Sequence, residues 1–425
     1  MTSAMTRRDA VKILAVAGAG SLLQARPGQA ATSITMLHES SFIKAFDEYF
    51  QKKIIPAYEK AAGVKVVYEI VSVGSTLTRN TTAAETGSGP DLTLMALNWP
   101  FLFDEKLVDV SDIAEEAGKA NGGWHDAAKE LAVVNGKWKA VPFGNIGQLM
   151  NYRIDWFKEV GYDKFPDTWD ELLEAGTKLK KKGHPFGMEL GHGFGDNHGW
   201  LYPLLWSYGG AEVLPDGKTI VIDSDETARA VDFCRKFYQA TMQEDVLGWT
   251  DPSNNKAWYA EQISCTNNAE SILYVAKRDF PDIAQVTGQA LNPQGPKGRF
   301  HILNPWAHSI FTHSQNLQAS KDFLRWLMKP EIVSGWYDSA ESYYAPFLHA
   351  YDNAPLWTRE PRNLPYRESL ATSRPLGWPG PVGRKQSESV AKYVVVDMFA
   401  QACAGKSTKD VIADAKGKLQ QIYKS

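Results

Sequence analysis

The sequence predicts an α/β fold built from more than one domain. Its 425 residues exceed the usual length of a single domain. From residue 33 onward, β-rich runs alternate with helical periodicity, the pattern of a parallel sheet with helices on its faces. Hydrophobic residues make up 44% of the chain and charged residues 22%, which supplies a core and argues against disorder.

The first thirty residues read as an export signal. Arg7 and Arg8 form a twin-arginine run, a soft apolar stretch covers 13–23, and Gly28-Gln29-Ala30 supplies small residues for cleavage after Ala30. The apolar stretch is too short to span a bilayer. No Cys lies near the cut, so a lipid anchor is not expected, and a soluble periplasmic location is.

Residues 33–37 read as a strand. Apolar positions from Phe42 to Tyr58 mark a helix over 42–62, with Pro56 as a candidate kink and Gly63 as its end. A strand over 64–71, a helix over 77–86 closed by Gly87, and a strand over 91–97 complete a β-α-β-α-β unit. Residues 137–143 and 148–152 are extended. Thr168-Trp169-Asp170-Glu171 is a capping box, in which the hydroxyl and the carboxylate each satisfy an orphan helix N–H. Its helix ends on Lys180-Lys181-Lys182, where basic charge complements the macrodipole. Strands are expected over 186–190, near Ile263 and over 219–222, the last followed by a helix through Phe237. Residues 309–312 are extended and 320–328 helical. One long helix is expected over 387–402, and Val411, Ile412, Ala415, Leu419 and Ile422 define a final helix. The Pro-rich stretch 354–383 reads as irregular. Cys234, Cys265 and Cys403 sit in apolar patterns and read as buried thiols. An oxidising compartment permits one disulfide, and the sequence leaves the pair open.

Lys+Arg 46 against Asp+Glu 49 gives a net charge of −3 with no long basic run. No nucleic-acid partner is expected.

Several segments in order resemble one family. Thr86-Gly87-Ser88-Gly89-Pro90-Asp91 resembles a small-Gly-x-x-Pro-Asp entry into the third strand. Met150-Asn151-Tyr152-Arg153-Ile154-Asp155-Trp156-Phe157 resembles Y-Y-N-K-D-L-F. Gly161 with Phe165-Pro166-Asp167-Thr168-Trp169-Asp170-Glu171-Leu172 is close to G-x-x-x-P-x-T-W-D-E-L. Trp138–Phe143 and Ala319–Leu327 add two weaker likenesses. Together they resemble the carbohydrate-type extracellular solute-binding proteins of ABC importers, over roughly residues 34–423. Pro305-Trp306-Ala307-His308-Ser309 stands where that family often has Gly-Gly-Ser.

The resemblance implies a two-lobe periplasmic-binding-protein fold of type II, hinged around a central cleft. Crossings near Gly144, Pro305 and Ala345 would give an N-terminal lobe of 31–143 plus 307–343 and a C-terminal lobe of 144–305 plus 346–425. It implies a monomer without cofactor or catalytic residues, which binds a sugar, oligosaccharide or polyol and delivers it to permease subunits.

Ligands of open α/β sheets sit beyond the C-terminal strand ends. That rule selects Glu39, Ser40 and Ser41, then Ser75, then Asn98 and Trp99. From the second lobe it selects Asp196 and His198 in a Gly-rich loop, and Asn267 and Asn268. Asn145, Trp306, His308, Tyr343 and Tyr344 flank the crossings. Carboxylates and amides bond neighbouring hydroxyls, and indole faces cover the apolar face of a pyranose. Trp169 and Trp326 read as core. Arg79 and Arg299 are candidates to meet an acidic ligand.

Two alternatives stand beside this reading. An exported glycoside hydrolase would use Glu39 and Asp196 as its carboxylate pair. A metal-binding protein would use His192, Asp196 and His198 with His184 nearby for zinc, or Tyr343 and Tyr344 for ferric ion. No G-x-S-x-G, H-E-x-x-H or Walker loop occurs.

Overall fold

The computed structural model describes residues 32–193 and 195–424. The predicted export signal and its cleavage site lie outside them. None of the described helices is long and apolar enough to cross a membrane.

Two sheets organise the molecule. The larger runs in the order Ala345–Pro346, Val141–Asn145, Pro305–Ile310, Leu92–Ala96, Ser33–Glu39, Lys65–Val71. Ser33–Glu39 pairs in parallel with both Lys65–Val71 and Leu92–Ala96, so the predicted β-α-β-α-β unit is present. Pro305–Ile310 inserts antiparallel beside it. The smaller sheet places Leu149–Arg153 between Cys265–Asn268 and Thr287–Ala290, all antiparallel.

Local chemistry sets the element ends. The helix over 44–62 carries a π turn at Phe50–Ile54 just before Pro56. Proline has no N–H to give the preceding turn, and the wider turn accommodates that loss. The capping box is formed as the sequence predicts: Glu171 N–H donates to Thr168 Oγ1 at 3.2 Å, and Thr168 N–H to Glu171 Oε2 at 3.1 Å.

Several expectations are corrected. Residues 186–190 form no strand. Phe186 makes one isolated bridge to Met242, and Gly187 N–H and Leu190 N–H turn to different carbonyls, those of Cys265 and Val246. Residues 219–222 likewise form only the bridge between Ile220 and Val213. The expected helix over 387–402 is two helices, Arg384–Ala391 and Val394–Cys403, because Tyr393 takes a left-handed φ of 55°. That break turns the Tyr393 ring onto His192, with centroids 4.4 Å apart. The helix Leu317–Leu327 does stop before Pro330, but a second helix, Pro330–Ser339, follows directly.

All three cysteines are buried. Cys234 and Cys403 place their sulfurs 3.8 Å apart on the packed helices Asp225–Thr241 and Val394–Cys403. Treatment with oxidised glutathione is therefore expected to join Cys234 to Cys403 and leave Cys265 as the remaining thiol. Non-reducing peptide mapping checks this; a cross-link involving Cys265 would contradict it.

Candidate functional site

Between the two sheets lies a narrow cavity. Glu39, at the end of Ser33–Glu39, and Trp306, on Pro305–Ile310, reach it from the larger sheet. Asn268, on Cys265–Asn268, and Asp196, which opens the helix Asp196–Tyr208, reach it from the other side. Phe42, Val73, Ile146, Gln148, Asp251, Ala269, Asn304 and Tyr343 complete the wall. Its inner space is about 20 Å³, room for a single water. It opens past Phe42, Val73 and Asp251 into a mouth of about 390 Å³, lined also by Ser40, Ser72, Gly74, His192, Gly193, Thr250 and Pro252. The mouth is in the size range of small-molecule sites, whereas the inner end is shut.

The Gly-rich segment builds the Asp196 corner. Gly195 has a φ of 102°, a left-handed region that disfavours side chains, and it turns the chain into the helix. A Cβ at Gly199 would sit 2.6 Å from Asn267 Oδ1, so only glycine lets this helix approach the smaller sheet. Asp196 Oδ2 then accepts from Asn254 Nδ2 at 2.6 Å and from Asn268 Nδ2 at 3.2 Å. Across the cavity, Glu39 Oε2 accepts from Thr76 Oγ1 at 3.2 Å.

Of the residues predicted for the site, Glu39, Asp196, Asn268, Trp306 and Tyr343 line the cavity and Ser40 lines its mouth. The others lie elsewhere. Ser41 Oγ accepts from Ile43 N–H at 3.0 Å at a helix start. Ser75 is exposed and bonds Ser72. Asn98 donates from Nδ2 to Leu376 O at 3.2 Å and to Gln386 Oε1, and its carbonyl accepts from Ser387 Oγ at 2.9 Å. Trp99 is packed in the core. Asn145 accepts from Asn304 N–H at 2.7 Å between the adjoining strands. His198 is buried beside Tyr202 and Tyr393. Asn267 donates to Asn292 Oδ1 at 2.9 Å. His308 and Tyr344 belong to an aromatic cluster with Phe143 and Trp336. Asn267 and Asn268, expected to follow a strand, are within it.

The zinc set is not assembled. His192 pairs with Asp397 at 2.5 Å, His198 faces inward, and His184 stacks on Trp156. Arg79 pairs with Glu69 and Arg299 with Asp167, so neither meets the cavity. Trp169 is core, as expected, and Trp326 packs partly buried against it.

Sequence reasoning missed Gln148, Asp251 and Asn304. Asp251 directly precedes the helix Pro252–Tyr259, and its Asp-Pro start was the one available signal.

Burial pushes the Glu39 carboxyl up to about 8, against the lowering effect of the Thr76 hydrogen bond. It pushes Asp196 up to about 7, opposed by Asn254 and Gln148, and Glu212 up to about 7. Burial also pushes His38 and His198 down to about 4. The signs oppose each other. These carboxyls hold protons more tightly when folded, so their stabilisation is full at low pH and is lost as pH rises through 7 to 8. The histidines hold protons less tightly when folded, so theirs is full above 6.5 and is lost toward 4. Between pH 6.5 and 8 only the carboxyls contribute a slope, and the thermal midpoint is expected to fall across that interval. Scanning calorimetry checks this, and Glu39→Gln should flatten the slope.

Comparison with known proteins places this geometry. The model of the family described as bacterial extracellular solute-binding protein matches residues 41–333. A probable ABC transporter-binding protein of Deinococcus radiodurans is 25% identical over 250 residues, covering 56% of this chain and 58% of that protein. The chain thus spans about three-fifths of the length of the curated relatives it matches. Among solved structures, an ABC transporter solute-binding protein from Thermotoga lettingae bound with α-D-tagatose superposes with a TM-score of 0.81 at 17% identity, over 92% of this chain and 100% of that one. A maltose-bound T. maritima MalE3 superposes at 0.79 with 22% identity, over the same shares. The fold is that of two-lobe periplasmic binding proteins.

Proposed function

The chain belongs to the bacterial extracellular solute-binding proteins, and from that premise we propose that it is the exported, periplasmic binding component of an ABC importer. Its ligand is a sugar, oligosaccharide or polyol, held in the cavity between the lobes and passed unchanged to permease subunits. Export is by the twin-arginine signal, and the protein acts as a monomer.

One observation carries this reading: a single cavity is lined from one sheet by Trp306 and Glu39 and from the opposite side by Asp196 and Asn268. An indole with carboxylates and amides suits a pyranose or a polyol. The lobes are 31–143 plus 307–343 and 144–305 plus 346–425. The arrangement of the crossings supports this division, since Asn145 pairs with both Pro305 and Ala345, so that the three segments run side by side as a hinge does. Close to that hinge, one residue beyond the Leu97 N–H that donates to Pro305 O, Asn98 Nδ2 donates to Leu376 O and Gln386 Oε1 and the Asn98 carbonyl accepts from Ser387 Oγ, which ties the lobes together. The shut inner end means that a ligand enters only when the lobes part. Closure then follows from its higher affinity for the closed form.

The reading is tested by small-angle scattering and tryptophan fluorescence over a panel of sugars and polyols. A binding sugar should compact the protein and be recovered intact. Trp306→Ala should weaken that binding more than about tenfold, as expected for an aromatic anchor. Turnover of any panel member, or wild-type affinity in Trp306→Ala, would count against the proposal.

A further inference from the structure

We propose that the ligand carries a protonated nitrogen beside its hydroxyls, as an amino sugar or an amino polyol does, and that Asp196 and Glu39 receive this ammonium. The inference rests on the sugar-binding reading and narrows it.

Charge is the first argument. Among the described residues, the cavity and its mouth are lined by the carboxylates of Glu39, Asp196 and Asp251 and by no lysine or arginine. Glu189 stands close behind, and one carboxylate oxygen each from Glu189, Asp196 and Asp251 lie within 4.8 Å of one another. Glu39, Glu189 and Asp196 are 2%, 1% and 6% exposed. Burial makes the ionised form of these carboxyls costly, and a cation placed among them offsets that cost and favours release of their protons.

The balance of donors and acceptors is an independent argument. Around the cavity, Asn304 Oδ1 and Gln148 Oε1 are buried acceptors without a partner among the described residues. Trp306 Nε1 is the one lining donor left in the same condition. Each hydroxyl brings as many acceptor sites as it consumes, or more. An ammonium brings three donors and no acceptor, so an acceptor-rich wall matches it. The Trp306 indole adds a π face suited to a cation.

The test is titration calorimetry of the full chain with matched pairs that differ only in an amine for a hydroxyl: D-glucosamine against D-glucose, D-galactosamine against D-galactose, and 1-amino-1-deoxy-D-glucitol against D-glucitol. Calcium chloride alone is a further arm. The amine is expected to bind more than about tenfold tighter than its neutral partner, the scale of one charge-assisted hydrogen bond. Asp196→Asn, which keeps the shape, should erase most of that preference, and Glu39→Gln should reduce it. If neutral sugars bind as well as or better than their amines, this inference fails and the sugar-binding reading stands. If no member of the panel binds, this inference fails, and the sugar-binding reading is decided by the wider panel of sugars and polyols read by scattering and fluorescence. Calcium binding with no amine preference overturns the inference in favour of a metal site at Glu189, Asp196 and Asp251.

Discussion

Replacing Asp196 with alanine is expected to cost more than a hundredfold in affinity for the tightest-binding member of the sugar and polyol panel. Asp196 and Asp251 are the carboxylates through which the smaller sheet and its helices meet the cavity. Asn254 and Asn268 both donate to Asp196 Oδ2, and a ligand in the cavity would meet the same carboxylate. Truncation removes that contact and strands two amide donors next to it. Losing one partner of a buried, hydrogen-bonded charged contact costs about 2–5 kcal/mol, and about 2.7 kcal/mol is already a hundredfold. Asp196→Asn separates the contributions, since it preserves volume and removes only the charge. Its loss should be smaller for a neutral ligand than for a cationic one. Titration calorimetry reads the affinities, and circular dichroism melts establish that both variants fold. An Asp196→Ala variant that folds and binds within threefold of wild type would mean that the cavity is not the ligand site.

The scaffold that presents Asp196 was partly legible in the sequence. Periodicity revealed the opening β-α-β-α-β unit because each of its helices is amphipathic and each of its first strands is followed by a helix start. The capping box was legible because its chemistry is local: four consecutive residues contain both bonds. What escaped was set by distant contacts. Nothing within 387–402 announces a break at Tyr393; the left-handed turn there is accompanied by stacking on His192, some two hundred residues away in sequence. The strand-end rule found the right neighbourhood without the right face. It selected Trp99 along with Glu39, and the crossings added His308 along with Trp306, yet Trp99 and His308 are buried away from the cavity that the other two line. Trp99 opens a short helix and His308 lies inside its strand, so nearness to a strand end does not fix where a side chain is directed. Gln148, Asp251 and Asn304 escaped because isolated polar residues at element ends carry no period at all.

Trp336→Ala should be the most destabilising single substitution outside the cavity, and it tests whether the site depends on the core behind it. Trp336 is fully buried. Its ring stacks on Phe46 at 4.8 Å with planes 12° apart and lies 4.8 Å from Phe50 and 4.5 Å from Phe143. The same ring stacks on His308 at 5.6 Å, and His38 joins this cluster to Trp306 at 5.7 Å. Removing an indole from such a cluster leaves a cavity that its neighbours cannot fill, because they are held in the sheet and in the helix over 44–62. The expected cost is about 3–5 kcal/mol, a fall in melting temperature of roughly 6–15 °C if the affected lobe melts as a unit of ordinary domain size. Trp336→Phe should cost less, since most of the ring contact survives. Urea denaturation read by circular dichroism gives the stability, and a ligand titration below the transition gives the functional consequence. If the cluster positions Trp306, Trp336→Ala should also weaken binding while folded, although it does not touch the cavity. Retained affinity in the folded variant would show that Trp306 is held in place by its own strand and by Tyr344, 5.3 Å away, without support from the core.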